Sequence, residues 1–496
     1  MEYSKRVIII GSGIAGLAAA IRLASTGYDV SIFEKNSYVG GKLAHFSIND
    51  FQFDAGPSLF TQPEYIEELF LFANEPIQEY FQYSARPVSF KYFYEDGTIV
   101  NAYTNREQLL SEFEEKLGEK KTAVNKYLDE AAHIYNNIGT FFLGNSLHKL
   151  SRLFKKDMLK AIFSFRWKYI FKTMHQANST SFTNPKTIQL FNRYATYNGS
   201  NPYKAPAMLT MIPHLELTRG TYYPKGGMVS IINALYKLAL KKNVKFYFSS
   251  NVQQIINEKK RATGIKVNDM VYNADIIISN SDVYFTYKNL LNNDAAAAKL
   301  LQQERSSSAF IFYWGMNTTF PQLDLHNIFF SNDYDAEFNS LFQTKTMYAD
   351  PTVYINITSK CEPGIQAPNG KENWFVMVNA PADVGQDWNS LAIKYKKNII
   401  DKIERMLNTN ISRHIETEAM LHPALIEERT GSYTGSLYGT SSNSRMAAFL
   451  RHANFSNSVK GLYFAGGSVH PGGGIPLCMQ SAKIVTELIQ KDFKKQ

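Results

Sequence analysis

Residues 7–16, Val7-Ile8-Ile9-Ile10-Gly11-Ser12-Gly13-Ile14-Ala15-Gly16, constrain this chain more than any other stretch. Four apolar residues run straight into a glycine turn, and the apolar, helix-like residues 17–24 follow at once. A second β-like run, Val30-Ser31-Ile32-Phe33, ends on Glu34. The order is strand, glycine turn, helix, strand, carboxylate. Gly11 permits the tight turn, Gly13 lets the backbone approach a pyrophosphate, and Gly16 lets helix and strand pack closely. The free N–H groups and partial positive charge of the helix N-terminus favour phosphates. Glu34 stands 18 residues after Gly16, the spacing at which an acid accepts hydrogen bonds from ribose hydroxyls. A lone GxGxxG is weak evidence, but strand, helix and acid together predict a dinucleotide-binding unit rather than a structural turn.

The chain has 496 residues, enough for two or three domains at ~100–200 residues each. With 44% hydrophobic and 20% charged residues, the composition is that of an ordinary globular protein. The net charge of +9 is spread without a dense basic block, so no nucleic-acid partner is expected. Only Cys361 and Cys478 occur, far apart, which excludes a disulfide framework and a CxxC pair; no metal site is expected, and a reducing cytoplasm is. Lys5-Arg6 precede an apolar run ending at Ile21. The glycine spacing, Arg22 and the lack of an A-x-A site argue against an export signal. No run of ~18 apolar residues occurs, so no transmembrane helix is expected.

Two more turns follow the first unit, Val39-Gly40-Gly41-Lys42 and Phe53-Asp54-Ala55-Gly56-Pro57-Ser58. A unit for NAD demands neither. A flavin dinucleotide is longer and bent across its domain, so a second backbone approach favours FAD. Residues 89–103 read as a hairpin around Glu95-Asp96-Gly97. Thr104 and Glu107 predict a capping box, with Gly118 as the helix stop, and residues 124–138 keep helical spacing. Residues 147–174 carry eight Lys/Arg and one acid, Asp157, interleaved with aromatic and aliphatic residues. Both a helix lying in a membrane interface and a packed helical cap with a solvated basic side fit this pattern.

After Gly220, Tyr222-Tyr223-Pro224-Lys225-Gly226-Gly227 leads into a helix, and strands are predicted at 244–248, 252–256, 264–272 and 274–279. This part rejoins the nucleotide domain. Strands at 308–314 and 374–379 and a helix near 388–407 predict a second sheet that forms a substrate wall. Near the end, a strand at 462–465 meets Gly466-Gly467, a turn rich in Gly and Pro, and a helix from about Leu477. This is a second helix N-terminus aimed from a glycine loop, able to face a pyrophosphate or a flavin ring. His470, the one titratable residue in that loop, is a candidate proton acceptor or a loop brace. His214 and His326 have no supporting neighbours in sequence. No catalytic triad is visible.

GSGIAGLAAAIRLASTGYDVSIFEKNSYVGGK, FDAGPSLFTQP, YYPKGGM and YFAGGSVHPGGGIP together resemble the bacterial-type phytoene desaturase family of carotenoid desaturases, across essentially the whole chain. GGKL followed by FDAGPSLFTQPEYIEELF is similar to the hydroxycarotenoid 3,4-desaturases of that family. The resemblance implies an α/β fold. Its parts would be a discontinuous Rossmann-like FAD-binding domain (1–75, 218–290, 456–496), a sheet-based substrate domain (76–105, 291–455) and a helical, membrane-facing lobe (106–217). Carried over by motif, Gly11, Gly13, Ile14, Ala15 and Gly16 would sit on the pyrophosphate. Glu34, beside Lys35, would take the adenosine ribose, and the backbone of Val252 would meet adenine. Gly41 and Lys42, then Gly56, Pro57 and Ser58, would approach the cofactor next. Gly466, Gly467, Ile475, Pro476 and Leu477 would lie along the ribityl chain and isoalloxazine. Many members have Arg at the position of Lys42, and Lys lacks the planar fork of a bidentate contact.

The implied reaction is FAD-dependent desaturation of a long apolar carotenoid, with hydride leaving for flavin N5 and a neighbouring proton lost from a delocalised cation. A strong base is then unnecessary. With no second nucleotide motif, oxygen or a quinone is the expected electron acceptor. The expected location is peripheral, on the inner face of the membrane, through residues 147–174. Rival readings are a phytoene desaturase, a flavin amine oxidase or protoporphyrinogen oxidase, and a flavin-free prenyl-lipid carrier.

Overall fold

The computed structural model describes residues 4–146, 148, 168–444 and 451–493. Most of the basic segment expected at the membrane, 147 and 149–167, lies outside the described residues.

β1 (Arg6–Ile10) is apolar and buried at four of five positions, which suits an interior strand covered on both faces. α1 (Ile14–Ala24) leaves it through the glycine turn, and β2 (Asp29–Phe33) returns parallel beside it. The parallel five-stranded sheet runs in the order Leu462–Phe464, Ile276–Ser279, β1, β2, Lys245–Tyr247. Its strands therefore come from three distant stretches of chain. The helices Val229–Lys241 and Ile475–Phe493 flank α1 and share one apolar core with it.

The second sheet has seven strands, in the order Ile415–Leu421, Ser308–Met316, Glu372–Ala380, Val353–Asn356, His326–Phe329, Val88–Phe93, Ile99–Tyr103. All nine residues of Ser308–Met316 are buried, because alternate side chains fill opposite cores. Phe312 and Trp314 pack with Trp374 against the helix Trp388–Leu407, whereas Ile311 and Tyr313 pack on Phe51 and Phe53. Further along, Phe90, Tyr92, Ile328 and Phe330 meet a helical lobe through Phe113, Leu128, Leu190 and Phe191. The lobe begins with Arg106–Leu117 and Lys121–Ile134 and continues through Met174–Ser181 and Pro185–Asn192.

Three local expectations are corrected. The lobe's first helix is capped by Asn105, whose side chain accepts the Gln108 N–H at 3.1 Å; the Thr104 hydroxyl instead donates to the carbonyls of Arg86 and Pro87. The single strand expected at 264–272 is two, Arg261–Val267 and Met270–Asn273. Asn268 and Asp269 take left-handed φ values of 45° and 63° and turn the chain back on itself. The last helix begins at Ile475 rather than near Leu477, since Pro476 is tolerated in a first turn. Among the described residues no helix is long and apolar enough to cross a membrane, and no group of three His, Cys, Asp or Glu could hold a metal ion.

Candidate active site

The opening and closing glycine corners meet around one side chain, Asn280. Its Oδ1 accepts the Gly16 N–H at 3.1 Å, its Nδ2 donates to the Ala465 carbonyl at 2.8 Å, and its backbone N–H donates to Ile10. The fit leaves no room for larger residues. A Cβ on Gly16 would lie 2.3 Å from the Gly11 carbonyl, and one on Gly466, where φ is 123°, 2.7 Å from Asn280 Nδ2. Gly13 bridges to Gly40, and a Cβ on Gly41 would lie 3.6 Å from the Gly13 Cα. Ile14, Ala15 and Gly16 form the first turn of α1.

Behind Lys42 the next turn is equally close, since a Cβ on Gly56 would lie 2.2 Å from the Lys42 carbonyl. Asp54, two residues earlier, accepts the N–H groups of Met228 (2.9 Å) and Val229 (3.2 Å) at the start of Val229–Lys241. Burial lifts its carboxyl to about 6. This contact ties the turn that carries Gly56, Pro57 and Ser58 to the central Gly226-Gly227 corner.

Glu34, at the tip of β2, accepts from the Ser12 N–H and Ser12 hydroxyl, both at 2.8 Å, and from the Asn36 N–H at 2.9 Å. Its carbonyl accepts the Ser250 N–H at 2.8 Å, which brings the approach to Val252 to the same corner. Lys35 is exposed and its ammonium donates to the Glu428 carbonyl, away from these groups. On the closing side, the Gly466 N–H donates to the Ser481 hydroxyl at 3.1 Å, and Ile475, Pro476 and Leu477 form the first turn of Ile475–Phe493. His470 is buried; its Nε2 lies 2.9 Å from the Asn145 carbonyl and therefore carries the proton. Burial pushes it down to about 4, so it is neutral at physiological pH.

Two cations complete this region. The Lys42 ammonium donates to the Leu437 carbonyl at 2.8 Å, and burial pulls it down to about 8 despite nearby Asp282. Arg451 donates to the Tyr438 carbonyl at 2.6 Å and packs on Gly472. Burial and neighbouring Arg305 lower its pKa. Asp282 is spent on Arg305, 2.7 Å away. Among the described residues, neither Lys42 nor Arg451 forms an ion pair with a carboxylate. Cations removed from water without a counter-charge are costly, and an N–H-lined glycine corner beside them fits an anionic, pyrophosphate-bearing group.

Residues 14–490 match the sequence profile of the flavin containing amine oxidoreductases. The chain belongs to that family. A 1-hydroxycarotenoid 3,4-desaturase of Flavobacterium sp. (strain P99-3) is 51% identical to it over 98% of this chain and 99% of that one. A 4,4'-diaponeurosporene oxygenase of Staphylococcus haemolyticus is 31% identical over 98% and 97%. Among solved structures, an oxidoreductase from Methanosarcina mazei shares the fold, with a TM-score of 0.65 at 15% identity over 97% of this chain and all of that one. The likeness to carotenoid desaturases read from the motifs is thus borne out. This flavin containing oxidoreductase is an FAD-dependent enzyme.

Sequence reasoning missed Ser12, Asn280 and Arg451. Ser12 fills an x of GxGxxG, and Asn280 directly follows a buried strand, a signal that could have flagged it. Arg451 had none.

Where the sheet meets the lobe lies a second polar cluster. Glu216, fully buried, accepts from Arg193 at 2.9 Å on both oxygens, from the hydroxyls of Tyr194 (2.7 Å) and Tyr92 (3.3 Å), and from Tyr197. The Arg193 guanidinium lies 4.4 Å from the Phe90 ring centre and 4.5 Å from that of Tyr194.

Proposed function

We propose that this chain desaturates the C3–C4 bond of a carotenoid that carries a hydroxyl at C1. The observation that carries this reading is the 51% identity, end to end, with an enzyme so named, on a chain whose glycine corner is intact. Bound FAD would supply the two-electron acceptor. The protein binds and orients. Gly11, Gly13, Ile14, Ala15 and Gly16 would cradle the pyrophosphate, Glu34 the ribose, and Gly41, Lys42, Gly56, Pro57 and Ser58 the middle of the cofactor. Gly466, Gly467, Ile475, Pro476 and Leu477 would line its flavin end, and Val252 its adenine. Lys35 has its ammonium engaged elsewhere and would contribute only backbone. The aromatic seam between sheet and lobe would keep water from the polyene. A cation spread over conjugated double bonds is acidic at the adjacent carbon, so no strong base is needed. We read His470 as a brace, because its Nε2 proton is held on the Asn145 carbonyl.

The lobe would rest on the inner face of the membrane. Exposed Phe171 and the basic, aromatic segment that precedes it support this. Oxygen or a membrane quinone would take the electrons onward.

Expression in cells that accumulate either a C1-hydroxylated acyclic-ended carotenoid or phytoene, followed by pigment separation, tests the substrate. A new double bond only in the hydroxylated pigment is expected. Conversion of phytoene instead overturns the reading. Co-sedimentation with anionic vesicles tests the membrane contact, and protein that stays in solution would sink it.

A further inference from the structure

His326 begins the strand His326–Phe329, on the sheet face turned to the helical lobe. Its ring stacks on Phe90 at 4.9 Å and on Tyr354 at 6.0 Å. The Nδ1 edge is filled, by the Tyr354 hydroxyl at 2.8 Å and the Asn356 Nδ2 at 3.1 Å. Asn356 Nδ2 also donates to the Leu325 carbonyl at 3.1 Å, which identifies it as the amide nitrogen. An N–H can only be received by a lone pair, so Nδ1 is bare and the proton sits on Nε2. Nε2 is buried and has no hydrogen-bond partner within the described structure, on a side chain only 2% exposed. Buried donors are rarely left unmade.

The histidine is wired to the cofactor corner. The Tyr354 hydroxyl lies 2.9 Å from the Ser58 hydroxyl, at the end of the turn that packs on Lys42. In the other polar cluster on this sheet face the carboxylate is saturated, because Glu216 already receives Arg193 and three tyrosines; the Arg193 Nε that is left over lies in a guanidinium already sandwiched between the Phe90 and Tyr194 rings.

The chemistry of the substrate class proposed above, on which this inference rests, asks for one polar contact in an otherwise apolar channel. C1 and C3 are separated only by C2. The group that reads the oxygen must therefore stand close to the bond being oxidised, on the cofactor side of the channel. We infer that His326 is the specificity residue: its Nε2–H donates a hydrogen bond to the substrate hydroxyl and so selects hydroxylated over unhydroxylated chains. Burial, with Arg86 and Arg193 nearby, pushes the imidazole down to about 3, so it acts as a neutral donor and not as a base.

The test compares kcat/KM of the FAD-loaded enzyme for a C1-hydroxylated carotenoid and for the same chain without the hydroxyl, both delivered in vesicles. His326→Phe keeps the stacked ring and removes the donor. It should cost the hydroxylated substrate ~100-fold or more while leaving the unhydroxylated one within about 3-fold, since sites built to bond a hydroxyl discriminate strongly. His326→Gln, which keeps an N–H, should restore at least a tenth of the lost selectivity ratio. FAD content and Tm of both variants report folding, and if the phenylalanine variant does not fold, the glutamine variant is compared with His326→Leu. An equal fall for both substrates, or an unchanged ratio, overturns the inference and leaves the desaturase reading standing. Wild-type enzyme inactive on the hydroxylated substrate overturns the reading itself.

Discussion

Three arginines among the described residues sit almost out of water, Arg22 at 3% exposure, Arg193 at 5% and Arg451 at 3%; Arg22 pairs with the half-buried Glu68, and the other two are treated in opposite ways. Arg193 faces a buried carboxylate, Glu216, that three tyrosines also satisfy. Arg451 faces backbone carbonyls, and the charge nearest in influence is another cation, Arg305. The first charge is neutralised within the chain and belongs to the scaffold. The second, with Lys42, leaves a net positive corner beside an N–H-rich glycine turn, which an anionic cofactor completes. A buried charge is therefore informative through its counter-charge: a closed pair marks structure, an open one marks a site.

The largest effect that would break this comparison is on the closed pair. Glu216→Ala strands a buried guanidinium and should cost about 3–5 kcal/mol in urea unfolding, while a combined Arg193→Met, Glu216→Leu exchange recovers most of it. Unchanged stability in the single variant would remove the contrast. Next, Arg451→Met and Lys42→Met should each weaken FAD binding by about 1.5–3 kcal/mol, roughly 10–100-fold in Kd, by losing a charge-assisted contact. Titration of the ligand-free protein with FAD measures this, and the stability of that ligand-free protein should not fall. The pH dependence is of similar size. Lys42 titrates near 8 in the folded, ligand-free chain against 10.5 ordinarily, so between those values the unfolded chain binds the extra proton. Ligand-free stability should then rise from pH 8 to 10.5, whereas FAD, which favours the charged ammonium, should bind less tightly above pH 8. The FAD-induced rise in Tm should shrink between pH 7 and 9.5, and Lys42→Met should flatten that trend. Smallest, Asn105→Ala should cost ~1 kcal/mol in the same unfolding assay and Thr104→Val less, which sets the scale of an uncharged cap in the lobe.

Much of the nucleotide domain was legible because its signals are local. Gly11, Gly13 and Gly16 lie within one turn, and Glu34 follows at a distance set by one helix and one strand. The helix at 388–407 was likewise readable from its spacing. The cap at Asn105 was misjudged by one residue, since Thr104 and Asn105 are both good caps and only the Thr104 contacts to Arg86 and Pro87 decide between them. His326 gave no signal, because its meaning comes from Tyr354 and Asn356 on the next strand and from Ser58, far away along the chain.

By itself the sequence determined the strand–turn–helix–strand unit, its carboxylate and the glycine loops, because backbone sterics and hydrophobic periodicity act between near neighbours along the chain. Tertiary structure alone decided that Asn280 locks Gly16 to Ala465 and, among the described residues, that Arg451 is left without a carboxylate and the His326 Nε2 without a hydrogen-bond partner. Those facts depend on which distant groups share a buried space, where removal from water makes every unmatched charge or donor count.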